Sequence, residues 1–432
     1  MNRLLHRIIR RLVRAGDLTV TGADGSAHRF GDGSGEPVHV KIHTRHAERR
    51  ITFDPSLGLP ESYMDGEVDI VEGDVLGLLR VAYSNMDQSG IDAFWAKAIE
   101  GLRYSFRRFQ QLNTANRSRE NVHRHYDLSG DLYRLFLDRD MQYSCAYFQD
   151  PDMTLDEAQE AKKRHISAKL RMENGLSVLD IGSGWGGLGL YLARQFEADV
   201  LGVTLSTEQH AVSTNRAQEE HLENHVHFEL RDYRDLQERF DRIVSVGMFE
   251  HVGVNHYATF FEKAASLLKP GGVMVLHAIG RSGPPSSTAA FIRKYIFPGG
   301  YIPALSEVLP HIEKAGLKVT DIEILRLHYA ETLRHWRERF MARRDEAKAL
   351  YDERFCRMWE FYLAGSEAAF RWQDLMVFQI QIAKQNDTVP LTRDYIGQGE
   401  KALSLLDSPS PSVPEAPVAK PKRRKAKASE HE

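Results

Sequence analysis

At 432 residues the chain is long enough for two domains and their tails, and an apolar share of 42% supplies a real hydrophobic core. A formal net charge of −3 hides two basic termini, and no apolar run is long enough to span a bilayer, which excludes an integral membrane protein. Only two cysteines occur, Cys145 and Cys356, far apart in sequence, which argues against a disulfide framework or a thiolate metal site and fits a reducing cytoplasm; no metal ligand set is read.

In chain order, Asn2 to Ala15 place Leu4, Leu5, Ile8, Ile9, Leu12 and Val13 on one helical stripe, with Arg3, His6, Arg7, Arg10, Arg11 and Arg14 opposite. A basic amphipathic helix of this kind suits an anionic membrane surface, packing on its own domain, or a presequence. The first residues lack an uninterrupted apolar core and a small-residue cleavage site, so no secretory signal is expected. Residues 16–115 form a small α+β domain, with strands at Leu18–Thr21 and Val38–Ile42 and helical propensity from Glu72 to near Asn113. A catalytic domain is expected over 116–405. Arg103 to Arg124 is rich in arginine, Met141 to Phe148 precedes a helix over Leu155–Leu170, and an apolar strand then runs into a glycine-crowded turn, Gly182-Ser183-Gly184-Trp185-Gly186-Gly187.

Strands at Asp199–Val203, Val226–Leu230, Asp241–Val246 and Val273–Ala278 alternate with helices at Thr207–Glu220 and His256–Leu268, which argues an α/β fold with a doubly wound, mostly parallel sheet. Lys318–Leu325 and Val377–Ala383 are read as an edge hairpin completing it. Beyond Asp407 the chain is rich in Pro, Ser and Ala and then almost all basic from Lys420 to Lys427, so 406–432 is expected to be a disordered basic tail. No nucleic-acid recognition module accompanies it.

Strand, glycine turn and helix begin a nucleotide-binding unit that can serve NAD, FAD, S-adenosylmethionine or only a tight turn. Ligands in such sheets sit at the carboxyl ends of the strands. Gly182 and Gly184 occupy that place on the first strand, Thr204, Leu205 and Gln209 on the second, and Asp232 and Tyr233 on the third, a carboxylate beside an aromatic face. The second strand lacks the acidic residue with which a dinucleotide fold often holds a ribose. The fourth ends in Glu250 and His251, either an acid–base pair or a helix cap.

Together, Met141 to Phe148, the glycine turn, Gly202 to Ser206 with Gln209, Asp232 to Asp235, Ser245 to Gly253, Leu276 to Gly280, Lys294 to Pro298 and Tyr351 to Trp359 resemble the cyclopropane-fatty-acyl-phospholipid synthases, a family that includes the mycolic acid cyclopropane synthases. The resemblance covers roughly Asn121 to Lys384, and Leu57 to Gly66 looks like the family's amino-terminal domain. It implies a class I methyltransferase-like, seven-stranded sheet and an S-adenosylmethionine-dependent enzyme that acts on cis-unsaturated acyl chains of membrane phospholipids. It also implies a homodimer that is peripheral on the inner face of the cytoplasmic membrane. In the family the alkene attacks the sulfonium methyl, and a bound bicarbonate removes the proton that ring closure requires. Carried over by motif, the bicarbonate site falls on Cys145, Glu250, His277, Ile279 and Tyr329, and the cofactor contacts on Tyr143, Ser144, Gly182, Gly184, Thr204, Leu205, Gln209, Asp232 and Tyr233. Ser183 replaces the family's usual cysteine, and Tyr329 lacks the family's flanking acidic residues. Phe249, Tyr295 and Phe297 are candidates either to stabilise a carbocation or to pack. The same carbocation can also resolve to a methyl-branched or methylene product, and a non-catalytic lipid-binding protein is the alternative of another class.

Overall fold

The computed structural model describes residues 1–86 and 129–407. The arginine-rich stretch, the helical reading beyond residue 86, the boundary read near 115 and the tail beyond Asp407 lie outside the described residues; Asp407 itself accepts from Arg164 at 2.7 Å and Tyr191 at 2.9 Å, so the disorder expected from 406 does not begin there.

The amino-terminal unit is built on a four-stranded sheet in the order β2-β1-β3-β4 (β1 Asp17–Thr21, β2 Ala27–Phe30, β3 Pro37–Ile42, β4 Val68–Glu72). Helices α1 (Arg3–Leu12), α2 (Arg45–Phe53), α3 (Pro55–Met64) and α4 (Val75–Met86) pack with it. Alternation along β1 and β3 buries Leu18, Val20, Val38, Val40 and Ile42 on one face. The stripe read over residues 4–13 divides. Leu5 and Val13 enter this core, while Leu4 and Ile8 stay 44% and 40% exposed. The helix is pinned at both ends, where the Asn2 N–H donates to Glu48 Oε2 at 2.9 Å and the Arg14 N–H to Asn85 Oδ1 at 2.9 Å.

The larger unit holds a seven-stranded sheet in the order β10-β11-β9-β8-β5-β6-β7. The strands are β5 (Ser177–Ile181), β6 (Asp199–Thr204), β7 (Val226–Leu230), β8 (Phe240–Val246), β9 (Leu268–Arg281), β10 (Lys318–Leu325) and β11 (Leu375–Ala383). From β7 to β9 neighbouring strands are parallel, and β11 runs against both β9 and β10. The chain steps outward from β5 to β7 and returns to β8 beside β5, so a topological switch point opens between β5 and β8.

The α/β reading and the parallel core match the structure, but the edge hairpin requires correction. β10 and β11 do pair antiparallel, yet α11 (His328–Ala342), α12 (Arg344–Leu350) and α13 (Glu353–Trp372) intervene, and β11 lies inside the sheet. Its near-continuous apolar run is the signature of a strand covered on both faces. The two polar residues that interrupt the run, Gln379 and Gln381, are buried and hydrogen-bonded to His277 and to the Lys169 carbonyl.

Two further helices frame the sheet's active end. α6 (Leu155–Leu170) follows the short α5 (Gly130–Arg134) and is capped by a reciprocal Thr154–Glu157 box; α7 (Gly187–Phe196) leaves the glycine turn. α8 (Thr207–Glu219), α9 (Tyr257–Leu267), α10 (Leu305–Lys314) and α14 (Asp394–Ser404) complete the layers. The two units share one core. Tyr63, Met64, Val75 and Leu79 pack in the same buried cluster as Tyr133, Trp336, Trp359 and Phe361. Arg357 of α13 clips the seam, donating to the carbonyls of Tyr63 and Val68 at 3.1 and 3.2 Å and pairing with Asp69 at 2.9 Å.

Replacing Arg357 by alanine removes the donor from both carbonyls and is expected to cost about 2 kcal/mol. Urea unfolding checks this; an unchanged midpoint would leave docking to the apolar contacts alone.

Candidate active site

The cavity opens where theory places it, outside the carboxyl ends of β5, β6, β7 and β8. The sharp turn after β5 needs Gly182 at φ +85°, and a Cβ there would meet Met248 Cβ at 2.7 Å. All nine cofactor positions expected from the sequence line this one cavity: Tyr143, Ser144, Gly182, Gly184, Thr204, Leu205, Gln209, Asp232 and Tyr233. Thr204 Oγ1 donates to Gln209 Oε1 at 2.9 Å, which fixes the amide. Asp232 takes a fork of bonds from Arg234, and the Tyr233 ring is held edge-on by Phe260 at 5.5 Å. A glycine cradle, hydroxyl and amide groups, a carboxylate and an aromatic face suit an adenosine-bearing ligand.

The five positions expected to do chemistry lie outside the lining of that cavity, in the adjoining core. Glu250 Oε1 accepts from the Ile279 N–H at 2.6 Å, so this backbone donor is committed to Glu250. Among the described residues Glu250 Oε2 is buried with no partner, and burial pushes the carboxyl up to about 7. His277 Nδ1 accepts from Gln379 Nε2 at 3.1 Å; its proton therefore rides on Nε2, which among the described residues is also buried without a partner. Burial holds this imidazole neutral, well below its ordinary range. Cys145 is 1% exposed, its thiol is pushed far up by burial, and it contacts the Ala146 carbonyl at 3.3 Å, an environment that disfavours a thiolate nucleophile. Tyr329 sits in α11 with its ring edge-on to Trp336 at 5.8 Å, and Trp336 stacks on Tyr143 of the cavity at 5.1 Å.

Of the aromatic candidates, Phe249 stacks on Tyr257 at 4.4 Å within the core, and Tyr295 donates to Glu61 at the seam. Phe297 faces the cavity's His251 at 5.9 Å. His251 is held neutral, its pKa lowered to about 4 by burial.

The sequence reading passed over Gln142, Lys162 and Asp180, which line the cavity, and Gln159 behind it. Gln159 Nε2 donates to the Ser144 carbonyl at 3.0 Å. Burial raises the Asp180 carboxyl to about 7. A signal existed: Leu155, Gln159, Lys162, Ile166 and Lys169 follow the three-four spacing of one helix face, and polar residues on a buried face call for partners.

Fold and cavity together define an S-adenosylmethionine-dependent methyltransferase. The solved structure of mycolic acid cyclopropane synthase CmaA1 complexed with SAH and CTAB matches with a TM-score of 0.58 at 36% identity, over 61% of this chain and 97% of that one. The chain is 38% identical over 350 residues to the cyclopropane-fatty-acyl-phospholipid synthase of Escherichia coli (strain K12), covering 81% of this chain and 88% of that protein. It is 36% identical over 399 residues to the tuberculostearic acid methyltransferase UfaA1 of Mycobacterium tuberculosis (strain ATCC 25618 / H37Rv), covering 88% and 91%. The family model for mycolic acid cyclopropane synthetase matches residues 113–380, and one described as a domain of unknown function (DUF7884) matches residues 4–90. The chain belongs to the mycolic acid cyclopropane synthetase family.

Between the ordinary glutamate pKa of 4.5 and about 7, the folded chain keeps a proton on Glu250 that the unfolded chain has released, so stability falls as pH rises through this window. Glu250→Gln cannot ionise. It is expected to melt above the parent at about pH 8 and close to it at about pH 5. Thermal denaturation at the two values checks this; an equal difference at both would detach Glu250 from the pH dependence.

Proposed function

We propose that the protein converts cis double bonds of phospholipid acyl chains into cyclopropane rings. S-adenosylmethionine, held by the nine cavity residues, supplies an electrophilic methyl group. Ring closure needs a proton removed from the transferred carbon inside an apolar site, so a base has to be kept there out of water. The observation that carries the reading is the pair of orphaned buried atoms, Glu250 Oε2 and His277 Nε2. One accepts and the other donates, and buried polar atoms left unpaired call for a polar ligand. Bicarbonate fits that donor set, with Cys145 and Tyr329 as further contacts, and would supply the base. Glu250, with its carboxyl poised near 7, then holds or passes on a proton at Oε2 while Oε1 stays anchored to Ile279. Gln379 keeps the His277 proton on the nitrogen that faces away from β11.

Methylation without ring closure is the second reading, favoured by the similarity to a protein named a tuberculostearic acid methyltransferase. Proton NMR of cis-monounsaturated phospholipid vesicles incubated with enzyme and S-adenosylmethionine separates the two, since both products add the same atoms. Upfield ring-methylene signals replacing vinyl protons are expected; new methyl signals with vinyl or exomethylene protons retained would turn the assignment to the second. In the same assay Glu250→Gln is expected to lower turnover by about 10²-fold or more with S-adenosylhomocysteine binding retained. A parental rate would remove Glu250 from the chemistry.

Substrate of this kind is reached at a membrane surface, and the outward face of α1 supports peripheral docking there. Leu4 and Ile8 are exposed between Arg3, Arg7 and Arg11, and among the described residues those three arginines make no ion pair. Arg45, Arg49 and Phe53 are exposed on the adjoining α2, Phe53 by 71%. Among the described residues no helix is long and apolar enough to cross a membrane. Reversing Arg7 and Arg11 to glutamate is expected to weaken binding to phosphatidylglycerol vesicles at least about tenfold at low salt, at about 1 kcal/mol for each basic residue near the surface. Sedimentation with vesicles checks this, and unchanged binding would assign docking elsewhere.

A further inference from the structure

The corner of the cavity formed by Gln142 and Ser144 contains a lysine for which neither the fold nor the proposed reaction accounts. Lys162 lies on the buried face of α6, is 1% exposed, and lines the cavity. Its ammonium donates to Gln142 Oε1 at 2.6 Å and to Ser144 Oγ at 2.8 Å. Both acceptors are neutral, and among the described residues Lys162 forms no ion pair. Its neighbour Lys163, by contrast, pairs with Asp140 at 2.8 Å and Glu160 at 3.1 Å. The arginines lining the cavity are also matched, Arg234 by Asp232 at 2.6 Å and Arg231 by Glu229 and Glu238 at 3.3 and 3.2 Å. The buried carboxyls of Asp138, Asp140 and Asp180 act on the Lys162 charge at longer range, but none pairs with the ammonium directly, and an anionic ligand in contact would complete it.

The hydrogen-bond inventory narrows the ligand. An ammonium has three N–H donors and no acceptor, so one donor of Lys162 is left. Ser144 Oγ accepts from the lysine, which leaves the hydroxyl proton for another acceptor. The Gln142 amide is engaged on both sides, Oε1 by the lysine and one N–H of Nε2 by Asp140 Oδ2 at 3.0 Å, which turns the group toward Asp140. The corner therefore offers two neighbouring donors, one of them charged, and suits the two oxygens of a carboxylate.

Position agrees with this. The cavity runs from Tyr233 and Asp232 at the end of β7, past Thr204 and Gln209 at β6 and Gly182 at β5, to Ser144 and Lys162. S-adenosylmethionine is an elongated molecule with an adenosine at one end and an amino-acid arm at the other. With the adenine at the Tyr233 end, the arm extends toward Lys162. We propose that Lys162 is a donor-binding residue that, with the Ser144 hydroxyl, takes the carboxylate of the amino-acid arm of S-adenosylmethionine. The assignment rests on the reading of this cavity as the S-adenosylmethionine site. It gives the buried lysine a purpose: anchoring the arm fixes which way the adjacent sulfur faces, and the Lys162 charge is felt by both Cys145 and His277 on the chemical side of the site.

Isothermal titration of the full chain with two probes tests this without turnover. S-adenosylhomocysteine carries the arm; 5′-methylthioadenosine has the same adenosine and sulfur without it. Lys162→Met is expected to weaken S-adenosylhomocysteine at least about tenfold and to leave methylthioadenosine within about twofold. Ser144→Ala is expected to act in the same direction, more weakly, and carries the test by itself if the lysine variant does not fold. Equal weakening of both probes by the variants would make Lys162 a support for the loop and overturn the proposal, as would unchanged S-adenosylhomocysteine affinity. Failure of the parent chain to bind either probe would overturn the cavity assignment beneath it.

Discussion

The site depends on one buried carboxylate. Asp140, 2% exposed, accepts from Lys163 at 2.8 Å, from Gln142 at 3.0 Å and from Arg216, while Arg216 also donates to the Trp185 carbonyl at 2.8 Å. Helix α6, helix α8, the loop over the cavity and the glycine turn beneath it thus meet at a single side chain. Taking such charges out of water costs several kcal/mol per ion and is offset only when every lone pair finds a donor. The two cations hold the Asp140 carboxyl well below the usual carboxylate range. The approach is so close that a Cβ on Gly187 would fall 2.4 Å from Asp140 Oδ2. Walls on separate elements are thereby held in one register, which is what a preformed pocket for a flexible ligand requires.

The parallel half of the sheet was readable because its strands carry two independent signals, short apolar runs and strand-end glycines or turn residues. The cofactor positions were readable for the same reason: they occupy successive strand ends, and the topology alone carries them into one cavity. What escaped was whatever depends on contacts distant in sequence. Nothing local marks β11 as an interior strand, since its partner β9 is separated from it by β10 and helices α10 to α13, and two glutamines in an apolar run read as alternation until their partners are known. Lys162 and Asp140 were invisible for a related reason. A charged residue on a helix or in a loop is ordinarily solvated, and only the fold reveals that these are enclosed. The basic helix shows a subtler limit, since a broad apolar stripe can serve two surfaces at once, with Leu5 turned inward and Leu4 outward.

The two units are less separate than their sheets imply. A single aromatic and aliphatic cluster runs from Tyr63 and Leu79 through Phe361 and Trp359 to Trp336, which stacks on Tyr143 in the cavity wall. Cores packed at crystal-like density move as bodies and not as fluids, so a displacement of the amino-terminal unit is transmitted to the wall that faces the reaction. Were that unit to dock on a lipid surface as proposed, the contact would be mechanically continuous with the cavity.

The placement of β11 bears on how the enzyme comes into being. Gln379, which sets the His277 tautomer, stands 102 residues further along the chain. Until Leu375–Ala383 has been synthesised and has inserted against β9, that strand is a long apolar edge open to pairing with other chains. Completion of the sheet around His277 therefore waits on a late segment of the chain, and it closes a very long loop, a topology associated with slow folding and exposed intermediates. The strand ends of β5, β6 and β7 follow one another directly, whereas the cavity wall at Tyr143 is completed by Trp336 of α11. A nascent chain thus exposes the glycine turn and its neighbouring strand ends well before the strand that closes the sheet exists.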